Sequence, residues 1–121
     1  MKKFFWDSYA LIEIIKGNPN YSNYKDEEVV FSVFNLVEIY FSILKGFGKK
    51  IAGEVYDEYS PAVIKIPGEV LKEAMEFRLA SRGKSLSYAD VIGYIYALKK
   101  GFVFLTGDKE FKNMKSVEFV K

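Results

Sequence analysis

Apolar residues in this chain fall into two kinds of run that alternate from end to end. Short unbroken runs read as buried strands. They are residues 3–6 (around Phe4-Phe5-Trp6), Val29-Val30-Phe31, Ala62-Val63-Ile64-Lys65-Ile66, Phe102-Val103-Phe104-Leu105 and Val117-Glu118-Phe119-Val120. Between them lie longer stretches with helical spacing, each with its own stop signals. Ser8 is expected to cap a helix running to about Lys16, ended by Gly17, Asn18 and Pro19. Residues 20–28 read as one short helix. Ser32 caps a helix from Val33 to about Phe47, closed by Gly46 and Gly48, and Lys49 to Tyr59 forms another, stopped by Ser60-Pro61. Pro67 opens a helix to about Arg82, and Ser87 caps the last one, 88–100, which Gly101 ends.

Strands alternating with helices predict an α/β fold with a mostly parallel, four- to five-stranded sheet flanked by helices. At 121 residues the chain is long enough for one core and too short for two, so a single domain over 1–121 is expected. No internal repeat, linker or low-complexity stretch interrupts it.

Four acids sit where the apolar pattern gives them no structural advantage. Asp7 closes Phe4-Phe5-Trp6, and Glu38 lies within Val33-Phe34-Asn35-Leu36-Val37-Glu38-Ile39-Tyr40-Phe41. Asp90 opens the segment Val91 to Leu98, and Asp108 follows Phe102-Val103-Phe104-Leu105-Thr106-Gly107. A carboxylate so close to core residues is costly unless a cation meets it. In parallel α/β sheets ligands bind beyond the carboxyl ends of the strands, which is where Asp7 and Asp108 would stand. Each acid also has an ordinary reading. Asp7 suits a strand-to-helix turn, Asp108 an Asx turn or helix cap, and Ser87-Tyr88-Ala89-Asp90 a capping box. Glu38 has no cap to make, and its plain alternative is a narrow solvent stripe shared with Asn35 and Ser42.

Composition narrows the chemistry. The chain has no histidine and no cysteine, which removes Ser-His-Asp and Cys-His catalysis, thiolate or imidazole zinc sites, disulfides and thiol redox chemistry. Oxygen ligands remain, and these select hard cations such as Mg²⁺ or Mn²⁺. The net charge of +2 is mild; with four acids gathered in one pocket, the rest of the surface is more basic than the total implies. The basic residues Lys45, Lys49, Arg82, Lys84, Lys109 and Lys112 are candidates to rim such a pocket and meet a polyanion. The first residues lack a signal-peptide pattern, because Asp7 and Glu13 break the apolar stretch, and no run approaches the roughly 20 apolar residues of a membrane span. A cytoplasmic location is the expectation. The excess of Tyr and Phe is assigned mainly to the core, with Tyr21 and Tyr24 as candidates for a partner surface.

Taken in order, Asp7-Ser8 after the first strand, Asn35-Leu36-Val37-Glu38-Ile39, Leu86-Ser87-Tyr88-Ala89-Asp90-Val91-Ile92-Gly93 and Phe104-Leu105-Thr106-Gly107-Asp108-Lys109-Glu110-Phe111 resemble the PIN-domain ribonucleases, and among them the compact VapC-type toxins of toxin–antitoxin pairs. The resemblance covers essentially the whole chain. It implies a Mg²⁺- or Mn²⁺-dependent endoribonuclease in which Asp7, Glu38, Asp90 and Asp108 form a metal-binding quartet. Ser8 and Thr106 would be supporting hydroxyls, the substrate RNA, and the partners a small antitoxin and a second copy of the chain. Gly93 departs from the family, which more often has alanine there.

Two other readings compete: a non-catalytic RNA- or protein-binding module on the same fold, and a solitary nuclease with no antitoxin. A phospho-accepting signalling domain is disfavoured because the middle strand ends in Lys65-Ile66-Pro67, without an acid. A dinucleotide-binding domain is disfavoured because no glycine-rich loop follows the first strand.

Overall fold

The computed structural model describes residues 2–121. Elements follow in the order β1 (Phe4–Trp6), α1 (Ser8–Ile15), a 3₁₀ turn (Pro19–Tyr24), β2 (Phe31–Ser32), α2 (Val33–Phe47), α3 (Lys49–Tyr59), β3 (Val63–Ile64), α4 (Gly68–Ala80), α5 (Tyr88–Lys100), β4 (Val103–Thr106) and β5 (Val117–Phe119). All strand pairings are parallel. β1 pairs with β4 and β4 with β5, while β2 pairs with β3. A parallel bridge from Phe5 to Val30, with the Trp6 amide donating to the Val30 carbonyl at 2.9 Å, joins the two groups. The strands thus run in the order β3-β2-β1-β4-β5, in agreement with the expected parallel α/β sheet.

Differences from the expected elements are local. The 62–66 strand shrinks to Val63–Ile64, because Ser60-Pro61-Ala62 winds into a 3₁₀ turn before it. The stretch 20–28 forms only the 3₁₀ turn Pro19–Tyr24. Ser8 is the first residue of α1 and not its cap; that role falls to Asp7, whose carboxylate accepts the Ser8 amide.

The core is aromatic. Phe5, Trp6, Tyr21, Phe31, Phe104 and Phe111 are fully buried, and Phe104 and Phe111 meet at 4.8 Å between ring centroids. Ring pairs of this kind add about 0.5–1.5 kcal/mol beyond the burial of their area. Tyr21 belongs to this core and not to a partner surface. Its ring is buried and its hydroxyl donates to the Val120 carbonyl at 2.6 Å, while Tyr24 is half-buried with its hydroxyl on the Glu118 carboxylate.

Two glycines are required by close approach. A Cβ added to Gly93 of α5 would fall inside the Phe5 ring's contact distance, closest to Cε1 and about 3.1 Å from Cδ1 and Cζ. The close approach of α5 to β1 therefore requires glycine at 93. A Cβ on Gly107 would collide with the Tyr9 ring and the Val120 carbonyl. The chain end is sutured there, with the Val120 amide donating to the Thr106 carbonyl at 2.9 Å.

No helix among the described residues is long and apolar enough to cross a membrane.

Candidate functional site

Because β1 and β4 are parallel neighbours, with Trp6 opposite Leu105, the residues that follow them leave the sheet at the same edge. The Asp7 amide donates to the Leu105 carbonyl at 3.0 Å, fixing Asp7 beside the end of β4. Asp7 is 2% exposed, and both its carboxylate oxygens are held: Oδ1 accepts the Ser8 amide at 2.8 Å and Oδ2 the Thr106 hydroxyl at 2.6 Å. Thr106 Oγ1 in turn accepts the Asp108 amide at 3.0 Å. One buried hydroxyl therefore ties Asp7 to the turn that presents Asp108.

Glu38 reaches the same edge from α2. The Ser8 hydroxyl donates to Glu38 Oε1 at 2.6 Å, and the Asn35 amide nitrogen donates to that same hydroxyl at 3.0 Å. Asn35 Oδ1 accepts both the amide and the hydroxyl of Ser32, at 3.0 and 2.9 Å. A continuous buried relay, Ser32 to Asn35 to Ser8, thus orients Glu38. Asn35 is fully buried, so the expected solvent stripe along α2 does not include it, and sequence reasoning missed its role. The available signal was the Ser32-x-x-Asn35 spacing, a capping box with asparagine in place of glutamate.

Asp90 arrives from α5. Its Oδ2 accepts the Ser87 amide at 2.8 Å while the Ser87 hydroxyl accepts the Asp90 amide at 3.1 Å, the capping box expected from the sequence. Asp108 likewise caps the 3₁₀ turn Lys109–Phe111 through the Glu110 amide at 3.0 Å. The caps that the sequence predicts for Asp90 and Asp108 are therefore both formed. Caps and hydroxyls hold one oxygen each of Glu38, Asp90 and Asp108, and the second oxygen reaches solvent, since the described residues leave no buried side-chain oxygen unpartnered.

The four acids feel one another. Burial raises the Asp7 pKa well above the ordinary carboxylate range, and the charges of Asp90 and Glu38 add to the effect against the hydrogen bonds from Thr106 and Ser8. Burial likewise pushes Asp90 up to about 6, with Glu38 and Asp108 adding to it and the Ser87 hydrogen bonds opposing. No lysine or arginine compensates: the ion pairs among the described residues are Lys2–Glu118, Lys16–Glu13 and Lys99–Glu73. An oxygen-only, anionic, partly buried cluster without a cationic partner is the donor set a hard divalent ion fits. The fit is incomplete in one respect. Among the described residues no group of three acids stands close enough together to hold a single ion.

The basic candidates divide by position. Arg82 and Lys84 lie in the turn before α5, where Lys84 Nζ donates to the Glu110 carbonyl at 3.1 Å, and Lys109 directly follows Asp108. Lys49 is exposed at the start of α3, and Lys45 and Lys112 sit over the Phe41 and Phe119 rings.

The same fold is found in solved structures. VapC20 of Mycobacterium tuberculosis, described as a sarcin-ricin loop cleaving toxin, superposes with a TM-score of 0.80 over 98% of this chain and 100% of its own, at 16% identity. PAE2754 of Pyrobaculum aerophilum matches at 0.72 over 98% of this chain and 89% of its own, at 19% identity. A toxin–antitoxin complex from Klebsiella pneumoniae matches at 0.71 over 97% of this chain and 96% of its own, at 16% identity. A search of curated protein sequences gave no match. The PIN domain family model matches residues 4–117, nearly the whole chain, and on that match this protein belongs to the PIN domain family.

Proposed function

We propose that this protein is a Mg²⁺- or Mn²⁺-dependent endoribonuclease acting through Asp7, Glu38, Asp90 and Asp108, and that it is the toxin of a toxin–antitoxin pair. PIN-domain proteins are nucleases, which supports the hydrolytic class. The observation that carries the site is Asp7: a buried carboxylate with no cationic partner, its pKa raised by its own burial and by neighbouring acids.

Asp7 and Asp90 are assigned as direct ligands, with Glu38 and Asp108 binding directly or through water. A bound divalent ion would supply positive charge to the phosphodiester and lower the pKa of a water molecule. The protein's own contribution is positional. Thr106 fixes the carboxylate plane of Asp7 and the turn of Asp108, and Ser8, held by Asn35, fixes Glu38. The solvent-reaching oxygens of Glu38, Asp90 and Asp108 are the ones assigned to the ion and its waters. Solved neighbours of this fold that are toxin–antitoxin complexes support a small antitoxin as partner, and the family resemblance supports a homodimer. A cytoplasmic location accords with an RNA substrate.

The test is Mn²⁺-dependent cleavage of a panel of structured RNAs, with Asp7→Asn as control and Mn²⁺ binding followed by calorimetry. Cleavage by wild type alone is expected; equal cleavage by both proteins, or no Mn²⁺ binding by wild type, overturns the proposal. The second reading, a non-catalytic binding module, draws on the absence of a three-ligand arrangement among the described residues. Glu38→Gln and Asp90→Asn separate the two. Both abolish cleavage with the fold retained if the enzyme reading holds, and neither changes RNA retention if the module reading holds.

A further inference from the structure

Of the chain's 18 basic residues only two are arginine, Arg78 and Arg82, and both line one cavity of about 150 Å³ together with Leu79, Lys84 and Leu86. The cavity lies at the turn joining α4 to α5. None of its three cations pairs with a carboxylate among the described residues. Three unpaired positive groups around one concavity repel one another, and an anion relieves that repulsion. The planar fork of a guanidinium suits a phosphate in particular.

Arg78 is already positioned. Its Nε donates to the Leu86 carbonyl at 3.0 Å, which leaves the two terminal nitrogens for a ligand, and its guanidinium lies over the Tyr88 ring at 4.6 Å. Tyr88 is the first residue of α5, and its ring, backed by the arginine, is 60% exposed. Stacked on one side by Arg78, the ring offers an open π-face beside a cationic pocket. The turn is also coupled to the acids. Tyr88 stands two residues before Asp90. Lys84 and the Ser85 amide both hold Glu110, whose own amide is held by Asp108.

We propose that this turn is a binding subsite for single-stranded RNA: Arg78, Arg82 and Lys84 take a backbone phosphate, and Tyr88 takes an unstacked base. The subsite rests on the nuclease reading only in taking RNA as the ligand. It requires an unpaired nucleotide, because a base within a duplex has no free face to offer Tyr88. An acidic pocket repels its own substrate, and this basic shelf supplies the attraction that the pocket lacks.

The test uses the full chain in EDTA, so that cleavage cannot intervene, and follows the anisotropy of a fluorescein-labelled single-stranded RNA decamer of mixed sequence at several salt concentrations. Arg82→Gln is expected to weaken binding about tenfold and to reduce the slope of log affinity against log salt by roughly 0.7, one phosphate contact on a single strand. Tyr88→Leu is expected to weaken binding at least about fivefold with the slope unchanged, and Tyr88→Phe to restore it. The decamer annealed to its complement should be indifferent to Tyr88→Leu. Both residues are exposed, so thermal midpoints should stay within about a degree of wild type. Wild-type protein that fails to bind the decamer, or variants that bind it as wild type does, overturn the subsite. Cleavage assays separate this from the enzyme reading. Normal RNA binding without Mn²⁺-dependent cleavage ends the nuclease proposal and leaves the subsite standing; cleavage with binding indifferent to Arg82 and Tyr88 does the reverse.

Discussion

Asp7 carries two demands that oppose each other. As the cap of α1 and the acceptor of the Thr106 hydroxyl it is well placed, and as a buried anion among acids it is destabilising. Asp7→Asn keeps the shape and removes the charge. The amide oxygen can keep the Ser8 amide while its nitrogen donates to Thr106 Oγ1, whose hydroxyl turns aside. In EDTA the variant should therefore be more stable than wild type by about 1–3 kcal/mol, a rise of several degrees in thermal midpoint, while Mn²⁺ binding is lost. A lower midpoint for Asp7→Asn would show that the charge is already compensated. Asp90 gives the pH dependence. Its folded pKa is about 6 against an ordinary 3.8, so the folded state holds the proton more tightly, and that stabilisation is complete below about 4 and lost as pH rises through about 6. Asp7 acts in the same direction. The midpoint difference between wild type and Asp90→Asn, scanned in EDTA over that window, should grow in favour of the variant as pH rises, and Mn²⁺ should narrow it. The affinity of wild type for Mn²⁺ should fall as pH is lowered through about 6, because the ion and the proton compete for the same carboxylate. At this scale the four acids were legible, since each interrupts an apolar pattern. The Asn35–Ser8 relay was legible only in part: the Ser32-x-x-Asn35 spacing marks the cap, but the contact with Ser8 joins positions 27 residues apart on separate elements.

Element by element, most boundaries followed from caps and stops. Ser32 and Ser87 precede α2 and α5, and Gly48 and Gly101 end them. Strands were harder to bound. β2 and β3 are only two residues long and owe their place to β1, through the Phe5–Val30 bridge, so pairing across the chain and not local propensity decides where they stop. Tyr21 reads as a surface residue in the sequence because Asn20, Ser22 and Asn23 around it are polar, and the hydrogen bond that anchors its hydroxyl is made to Val120, 99 residues away. The packing of α5 on β1 makes a sharper prediction. Gly93→Ala gains about 1 kcal/mol of helix propensity. The new methyl, however, would press on a Phe5 ring that is itself fully buried, and overpacking of that kind costs about 1–3 kcal/mol. The variant should be less stable in urea than wild type, and Phe5→Leu in the same chain should recover part of the loss. A double-mutant cycle reads the coupling directly. Additive effects of the two substitutions would mean that the ring has room to move.

For the whole molecule, the informative element is α2, which is apolar on two faces. Leu36, Ile39 and Ile43 point inward and are buried. Val33, Val37 and Phe41 repeat the helical spacing on the other side and are 44%, 60% and 59% exposed. The sequence places all of these in one apolar segment, and only the fold separates the inner set from the outer one. A contiguous exposed apolar stripe of this kind is a candidate contact surface. The outer stripe continues through Phe34 into an apolar groove of about 400 Å³ formed with Val63, Ile64, Ile66 and Leu71, beside the edge strand β3. A continuous apolar surface of this kind suits a self-complementary contact around a two-fold axis, with roughly 1,200–2,000 Å² buried in a stable dimer. The occupant expected is a second copy of this chain. If a second copy occupies this face, wild type runs at dimeric mass, and Val37→Glu, which sets a like charge against its symmetry mate, runs at monomeric mass. Light scattering after size exclusion would read the change, with the circular dichroism spectrum unchanged. Mass does not depend on the chemistry of the neighbouring Glu38, so this readout stands apart from any effect on cleavage. A wild-type protein that stays monomeric at high concentration, or a Val37→Glu protein of dimeric mass, would leave the outer stripe to a different partner.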